Sequence, residues 1–87
     1  MRYSIKIKKN VKKLLFRLPN NIVKKVSNKI DTLSENPRPV GCKKITNTIN
    51  KYRIRIGNYR ILYSINDDIL IIEVIKIAHR KDIYRNL

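Results

Sequence analysis

The stretch YRIRIGNYRILYSI, residues 52–65, carries three arginines, Arg53, Arg55 and Arg60, and no acidic residue. Guanidinium groups bind phosphate oxygens through paired hydrogen bonds, so a cluster of arginines suits a phosphodiester backbone. Like charges set across a strand pair cost stability, whereas Thr, Ser or Gln would keep an outer sheet face equally hydrated. The stretch therefore favours a phosphate-binding surface over a solvated sheet face, which remains the alternative.

A second group of candidate side chains lies near the C-terminal end of the sequence. His79 is the only histidine and directly precedes Arg80, where the last predicted strand ends. A histidine titrates near neutral pH, which suits it to general acid-base work. Tyr84 follows, and an aromatic ring that stacks on a nucleobase contributes ~1–3 kcal/mol per base. The alternatives are a structural histidine and a tyrosine that anchors the tail.

The charge of the whole chain is strongly and unevenly positive. Its 87 residues carry a formal net charge of +15. Residues 1–30 contain ten Lys or Arg, residues 36–66 contain seven more, and neither segment has a carboxylate. A field of this sign attracts polyanions and speeds encounter with them. The sequence thus indicates nucleic acid, an acidic protein, or both in turn as partners, with solubility as the alternative reason for the charge.

Length and composition exclude several classes of protein. A chain of this size has room for one domain, residues 1–87, with a modest core. The single Cys42 cannot form an intramolecular disulfide, and we expect it to be a half-buried filler. No apolar run approaches the roughly 20 residues that span a bilayer, and the N-terminus lacks a signal-peptide core. We therefore predict a cytoplasmic protein with no membrane contact. We also expect no cofactor and no metal.

Two amphipathic helices are predicted after a short strand at residues 3–7. Asn10 is the expected N-cap of the first helix, and Pro19 ends it. The apolar stripes at helical spacing are Val11, Leu14, Leu15 and Leu18 in the first helix, and Ile22, Val26, Ile30 and Leu33 in the second. A tight turn between two such helices makes an antiparallel hairpin, whose polar surface here is almost wholly Lys and Arg.

Three further strands are predicted at residues 52–56, 59–65 and 69–77. The pair Gly57-Asn58 suits the primed two-residue turn of a hairpin, and Asp67-Asp68 is the expected connection to the last strand. The segment ENPRPVG excludes helix, and ITNTIN has no clear pattern. This order of elements predicts an α+β fold. We expect a small antiparallel β-sheet of about four strands, with the N-terminal two-helix hairpin packed on one face.

A two-residue turn at residues 57–58 fixes which side chains share a face. It places Arg55 opposite Arg60 and Arg53 opposite Leu62, and side chains alternate between the two faces of a strand. The three arginines therefore point away from the helices. The side chains predicted to face the helices are Tyr52, Ile54, Ile56, Tyr59, Ile61, Tyr63 and Ile65.

A two-residue turn at residues 67–68 is expected to place Ile61 opposite Val74 and Glu73 opposite Leu62. This register keeps the apolar residues of the last strand in the core. It leaves Glu73 as the one carboxylate near three guanidinium groups. A three-residue turn would instead bury Glu73 at a cost of several kcal/mol unless the carboxylate is paired.

YRIRIGNYRILYSI and HRKDIYR together resemble the RelE/ParE superfamily of bacterial and archaeal toxins. The resemblance covers nearly the whole chain, and its motifs are Tyr-Arg-x-Arg-x-Gly-x-Tyr-Arg and His-Arg-x-x-x-Tyr. It implies a small antiparallel sheet with two N-terminal helices against it. It also implies the toxin of a type II toxin–antitoxin system, of the RelE-like mRNA interferase kind. Such a toxin is a ribosome-dependent endoribonuclease that cuts mRNA in the ribosomal A site and is neutralised by a RelB-like antitoxin.

The resemblance implies roles for six residues. Arg53 and Arg55 stand where RelE-like toxins have basic residues that hold or activate the reacting nucleotide. Arg60 matches the arginine that contacts the scissile phosphate. Arg80 matches the residue that protonates the leaving group or stabilises transition-state charge.

The two remaining matches are Tyr84, where the family has a tyrosine that stacks on the base, and His79, where some relatives carry a histidine. Arginine is effectively never deprotonated, so neither Arg53 nor Arg55 is a convincing general base. His79 or Glu73 is the only side chain suited to that task near neutral pH. Otherwise the ribosome supplies alignment and proton transfer.

Two other functions remain open at the level of the sequence. A ParE-like toxin would inhibit DNA gyrase and cut nothing itself, although such toxins generally lack the nuclease residues. A catalytically inactive toxin would act only as a co-repressor bound to its antitoxin. In every case, charge complementarity predicts an antitoxin whose acidic segment lies across the arginines.

Overall fold

A computed structural model describes residues 2–79, which form a five-stranded sheet with two helices packed on one face. The elements are β1 Ser4–Ile7, α1 Lys9–Leu15, α2 Asn20–Glu35, β2 Lys43–Lys44, β3 Lys51–Ile56, β4 Tyr59–Asn66 and β5 Ile71–His79. The strand order is β1-β5-β4-β3-β2. The predicted α+β class is confirmed. The sheet has five strands rather than about four, and it is mixed because β1 runs parallel to β5.

The first helix differs from its prediction at both ends. Asn10 lies inside α1 rather than at its N-cap, which is Lys8. The backbone N–H of Lys8 donates to the carbonyl of Val74 (3.4 Å), so the sheet fixes where the chain leaves β1 and α1 begins. The helix ends at Leu15, and its buried side chains are Val11 and Leu15. A helix of seven residues needs only a narrow apolar contact, and Leu14 remains 42% exposed.

The second helix and the sheet enclose the core as predicted. Val26, Ile30 and Leu33 of α2 are buried at helical spacing. They pack with α1 against the inner face of β3, β4 and β5, where the fully or nearly fully buried side chains are Ile54, Ile61, Tyr63, Ile65, Ile72, Val74 and Ile77. Burying one such side chain stabilises the fold by roughly 1.5–3 kcal/mol. No helix within residues 2–79 is both long and apolar enough to cross a lipid bilayer.

The β3–β4 hairpin has the predicted register. Arg55 pairs with Arg60, Arg53 with Leu62 and Ile54 with Ile61. Gly57 adopts φ 58°, a left-handed conformation that costs glycine little and that the primed turn requires. The three arginines of the hairpin therefore leave the backbone on the face turned away from the helices.

The register predicted between β4 and β5 is wrong by two residues at the turn. Asn66 pairs with Ile71 and Tyr63 with Val74, so four residues, 67–70, make the connection. The side-chain oxygen of Asn66 accepts hydrogen bonds from the backbone N–H groups of Asp68 (3.1 Å) and Ile69 (3.2 Å), which closes an Asx-type turn. A shift of two residues preserves the faces. Val74 stays in the core, and Glu73 stays outward but opposite Ser64 rather than Leu62.

A β-bulge then inserts one extra residue into β5. Tyr63 pairs with Val74, yet Leu62 pairs with Lys76, which leaves Ile75 without an opposite residue. The insertion reverses the alternation beyond it. Ile77, rather than Lys76, therefore lies opposite Ile61, where the prediction had Val74, and Lys76 turns outward.

Candidate functional site

The outer surface of the sheet, which we call the open face, presents its side chains in rows across β3, β4 and β5. The first row is Arg55, Arg60 and Ala78; the second is Arg53, Leu62 and Lys76; the third is Lys51, Ser64 and Glu73. The first two rows contain four cationic side chains and no carboxylate. Glu73 lies four residues along β4 from the Arg60 row, roughly 13 Å away at the rise of a strand.

Arg60 occupies the middle of the first row and is half-buried. Its Nε is buried and has no hydrogen-bond partner among the residues that the structure describes. An unsatisfied buried donor costs about 1–3 kcal/mol, more for a charged group. Its neighbour on β5 is the small Ala78. The arrangement fits an anionic oxygen that would accept from Arg60.

Arg55 and Arg53 flank this position in different ways. Arg55 is exposed, and its Nε donates to the carbonyl of Gly57 at 2.9 Å. This bond folds the side chain along the turn, toward the outer edge of β3. Arg53 is half-buried, and its opposite residue Leu62 is 0% exposed. Arg53 and Lys76 flank Leu62 in its row, and the aliphatic stems of such side chains can cover apolar surface.

Lys76 is a component of the open face that the sequence did not reveal. In a regular ladder at the turn's register, Ile75 would lie opposite Leu62 and Lys76 would point into the core. The bulge at Ile75 is what carries the ammonium to the outer side. The alternation in IIEVIK is the signal that could have indicated the irregularity: with Glu73 outward, Lys76 would fall on the inner face, and an unpaired lysine is rarely buried.

His79 does not join the arginines. It pairs with Tyr59, and the two rings form an edge-to-face contact with 5.8 Å between centroids. By strand alternation, Tyr59 and His79 leave the backbone on the face opposite to Arg60. Arg80 and Tyr84, the other predicted site residues, lie outside the described residues. The structure thus brings Arg53, Arg55 and Arg60 to one surface and leaves both predicted bases, His79 and Glu73, away from Arg60.

The side chains of residues 2–79 form no cluster of metal ligands. That part of the chain contains no group of three His, Cys, Asp or Glu side chains close enough to hold an ion. The charged groups that the first two rows of the open face present are guanidinium and ammonium groups.

A different arginine, Arg38, lies at the other end of the sheet in a fully occupied polar network. Its two terminal nitrogens donate to the two carboxylate oxygens of Asp67 (3.3 and 2.8 Å), and its Nε donates to the hydroxyl of Tyr52 (3.2 Å). Tyr3 donates its hydroxyl to Asp67 at 2.6 Å. The hydrogen bonds from Arg38 and Tyr3 lower the pKa of Asp67. The bond to Asp67 and partial burial raise the pKa of Tyr3.

The architecture, with two helices packed on one face of a small sheet, is that of RelE-type toxins. The Escherichia coli toxin RelE in its free state superimposes with a TM-score of 0.81 at 20% identity, covering 95% of this chain and 88% of that one. The chain belongs to the RelE/ParE toxin family: the model described as ParE toxin of type II toxin-antitoxin system, parDE, matches residues 2–84. The resemblance predicted from the motifs is confirmed.

Individual relatives support the same assignment. RelE1 of Methanocaldococcus jannaschii is 36% identical over 89 residues, which cover 99% of each chain. Toxin RelG of Mycobacterium tuberculosis is 30% identical over 86 residues, or 98% of this chain and 99% of that protein. The archaeal RelE-RelB complex from Pyrococcus horikoshii OT3 contains a chain with TM-score 0.83 and 33% identity, covering 92% of this chain and 97% of that one.

Proposed function

We propose that this toxin is a ribosome-dependent endoribonuclease that cuts translated mRNA, without a metal, by attack of an RNA 2′-hydroxyl on the adjacent phosphate. Family membership supplies the class of protein. The observation that carries the chemistry is the buried Nε of Arg60, which has no partner among residues 2–79 and lies in a row with a second arginine. A phosphate oxygen that accepts from this guanidinium would offset the cost of the unpaired donor.

Fixed positive charge contributes most to catalysis in the proposed mechanism. As the 2′-oxygen attacks, negative charge accumulates on the phosphorane, and a preorganised guanidinium stabilises it more than it stabilises the ground state. In this scheme Arg60 contacts the scissile phosphate, while Arg53 and Arg55 hold the flanking nucleotide. Arg80 stabilises the leaving oxygen, and Tyr84 stacks on the base to align the 2′-oxygen for attack.

The described residues place no general base beside Arg60. Arginines do not act as bases. His79 pairs with Tyr59 on the other side of the strand, and Glu73 lies two rows from Arg60. In our proposal the ribosomal A site provides alignment and accepts the proton of the 2′-hydroxyl. This scheme predicts very slow cleavage of free RNA.

The proposed partners follow from charge. A RelB-like antitoxin neutralises the toxin by laying an acidic segment across the open face, whose first two rows carry four cationic side chains. The relative from Pyrococcus horikoshii is complexed with RelB. The ribosome and its mRNA are cytoplasmic, and the toxin acts there.

The test is cleavage of a defined mRNA in a reconstituted translation system, read by mapping RNA ends. Wild-type protein is expected to give cuts in phase with codons, and only when the message is translated. Arg60→Ala should lose these cuts, and Arg17→Ala, which removes an exposed arginine outside the sheet, should keep them. Equal cleavage by both variants would refute the assignment of Arg60.

Two results would instead support the other functions. Inhibition of gyrase supercoiling without RNA cuts would identify a gyrase inhibitor. Operator binding with the antitoxin, in the absence of either toxic activity, would identify a co-repressor.

A further inference from the structure

A groove runs along the outer edge of β3, on the side where α2 passes. Its lining residues are Lys25, Asn28, Lys29, Thr32, Arg55 and Ile56, and its volume is about 380 Å³. It is separate from the surface of the open face that carries Arg60. Of the residues that line the groove, only Arg55 belongs to the proposed catalytic surface.

The fold explains why these side chains meet. Residues 25, 28, 29 and 32 follow the i, i+3, i+4, i+7 pattern, so they share one face of α2. The strand β2 pairs only with Tyr52 and Arg53. Within residues 2–79, no strand therefore lies outside the remainder of β3, and the space between that edge and α2 stays open.

The charge of the groove has one sign. Arg55 is anchored by its Nε on the carbonyl of Gly57, which directs its two terminal nitrogens without consuming them. Lys25 and Lys29 lie one helical turn apart on α2. Among the residues described, the lining contains no carboxylate. Asn28 and the hydroxyl of Thr32, which donates to the carbonyl of Lys29 at 2.7 Å, add polar groups.

Glu35, which continues this face of the helix, does not neutralise the groove. Glu35 follows Thr32 by one turn, at the end of α2. It lies 4.0 Å from the guanidinium of Arg2, so its charge is directed to the β1 side of the molecule.

We propose that this groove binds the sugar–phosphate backbone of single-stranded RNA, as an extension of the proposed substrate site. Arg55 joins the two surfaces, because it pairs with Arg60 across the hairpin and also lines the groove. A strand whose scissile phosphate lies at Arg60 would pass around the edge of β3 and place neighbouring phosphates against Lys25 and Lys29. Contacts of this kind position the strand and carry no sequence information.

The lining favours a phosphate backbone over an acidic protein segment. A protein segment gains most of its affinity from apolar and aromatic anchors that fill pockets. Ile56 is the one residue of the lining with an apolar side chain, the rest of its apolar surface comes from the carbon atoms of the polar side chains, and no aromatic residue among those described contributes. A polyanion with regularly spaced charges needs no such anchor.

The experiment measures binding apart from cleavage. The full chain is titrated into a fluorescent oligouridine whose 2′-hydroxyls are methylated, so that attack by the 2′-oxygen cannot occur. The test variant is Lys25→Gln/Lys29→Gln, and the matched control is Lys12→Gln/Lys13→Gln, which removes two exposed lysines of α1 outside the groove. Unfolding midpoints of both variants verify that they fold.

The groove variant is expected to bind about tenfold more weakly at moderate salt, with the slope of log K against log salt reduced by about 1.4, as two lost phosphate contacts predict. The control should change affinity less than about threefold. Equal losses in the two variants would overturn the inference, because they would indicate diffuse charge. Unchanged RNA binding with a tenfold loss of binding to a polyglutamate peptide would also overturn it, in favour of an acidic protein segment.

Failure here is distinguishable from failure of the proposed function, on which the inference rests. If the wild type never cuts translated mRNA but the groove variant binds RNA more weakly than the wild type, the groove is an RNA-binding site and the proposed chemistry is wrong. If the wild type cuts mRNA in a way that depends on Arg60 and the groove variant binds RNA as tightly as the wild type does, the proposed chemistry holds and the groove is not an RNA-binding site.

Discussion

Arg60 and the loop residue Arg38 lie near opposite ends of the same sheet, and the hydrogen bonding of their guanidinium groups differs. Arg38 uses its Nε and both terminal nitrogens on Tyr52 and Asp67. Arg60 is half-buried, and its Nε has no partner within the described part of the chain. Arginine therefore has two roles in this small domain: Arg38 forms hydrogen bonds within the fold, and Arg60 keeps a donor without a partner among the described residues.

The difference shows which charged groups the fold uses for itself. Around Arg38 a carboxylate, two hydroxyls and an aromatic ring, whose centroid is 5.2 Å from the guanidinium carbon, fix the loop after α2 against the β4–β5 turn. Around Arg60 the neighbours are another arginine and an alanine. A buried donor left without an acceptor carries a free-energy cost that a ligand can remove. We therefore expect activity to respond to Arg60 and stability to respond to the network of Arg38.

The largest effect should come from Arg60. Arg60→Ala is expected to reduce the rate of translated-mRNA cleavage by at least about 10²-fold, the usual loss when one transition-state donor is removed. Arg60→Lys should recover only part of the rate, because an ammonium keeps the charge and loses the planar fork. Single-turnover cleavage measures both. A rate for Arg60→Lys no better than for Arg60→Ala would show that geometry, not charge, dominates.

The next effect concerns the buried tyrosine beneath the Arg38 network. Tyr63 is 0% exposed, stacks on Tyr52 with 6.1 Å between centroids, and donates its hydroxyl to the carbonyl of Pro37 at 2.8 Å. Burial raises the pKa of this hydroxyl, so it remains a donor at all physiological pH values. Tyr63→Phe should lower the free energy of unfolding by about 1–2 kcal/mol, because the Pro37 carbonyl loses its partner. Denaturant titration measures the loss.

Tyr59→Phe is the matched control for that variant, since Tyr59 is only half-buried. We expect it to change stability by less than about 0.5 kcal/mol. Comparable losses in the two variants would mean that the buried hydroxyl of Tyr63 has no special role.

A smaller effect is expected from Arg38 itself. Its side chain is 43% exposed, and exposed ion pairs contribute little because solvent screens them. Arg38→Ala should therefore destabilise the fold by less than about 1 kcal/mol and leave mRNA cleavage unchanged. Equilibrium unfolding and the cleavage assay test the two halves of the comparison. A loss of cleavage without a loss of stability would place Arg38 in the functional surface after all.

The smallest effect is a dependence of stability on pH. The folded state lowers the pKa of Asp67, chiefly through its hydrogen bond from Arg38. A carboxyl whose pKa is lower when folded stabilises the protein above its unfolded pKa of about 3.9 and loses that contribution as pH falls below it. The thermal unfolding midpoint of the wild type should therefore decrease as the pH is lowered from about 4 to about 2. Asp67→Asn should make this decrease smaller. Parallel pH curves for wild type and Asp67→Asn would contradict the prediction.

Much of the functional surface could be predicted because it depends on local pattern. The alternation in YRIRIGNYRILYSI and a two-residue turn are enough to place Arg53, Arg55 and Arg60 on one side, and the pairing has that register. The stripe of α2 is equally local, since every apolar residue at helical spacing falls on one face. The two motifs, Tyr-Arg-x-Arg-x-Gly-x-Tyr-Arg and His-Arg-x-x-x-Tyr, likewise predicted the family correctly.

Other elements were missed because their causes lie elsewhere in the chain. The strand β2 has two residues, too few to show a period, and it exists through pairing with Tyr52 and Arg53. The parallel pairing of β1 with β5 depends on how α1 and α2 return the chain to the sheet. The N-terminus of α1 is set by a hydrogen bond of Lys8 to Val74, a partner far away in sequence.

The sequence by itself determined the α+β class, the basic surface and the face on which the three hairpin arginines lie, because strand alternation and turn chemistry act over a few residues. Tertiary structure decided the rest of the site. The bulge at Ile75 turned Lys76 outward, the longer connection at 67–70 kept Glu73 away from Arg60, and the short β2 left the edge of β3 open beside α2. Each of these depends on which backbone groups of distant strands find partners, and that pairing is settled only when the whole sheet assembles.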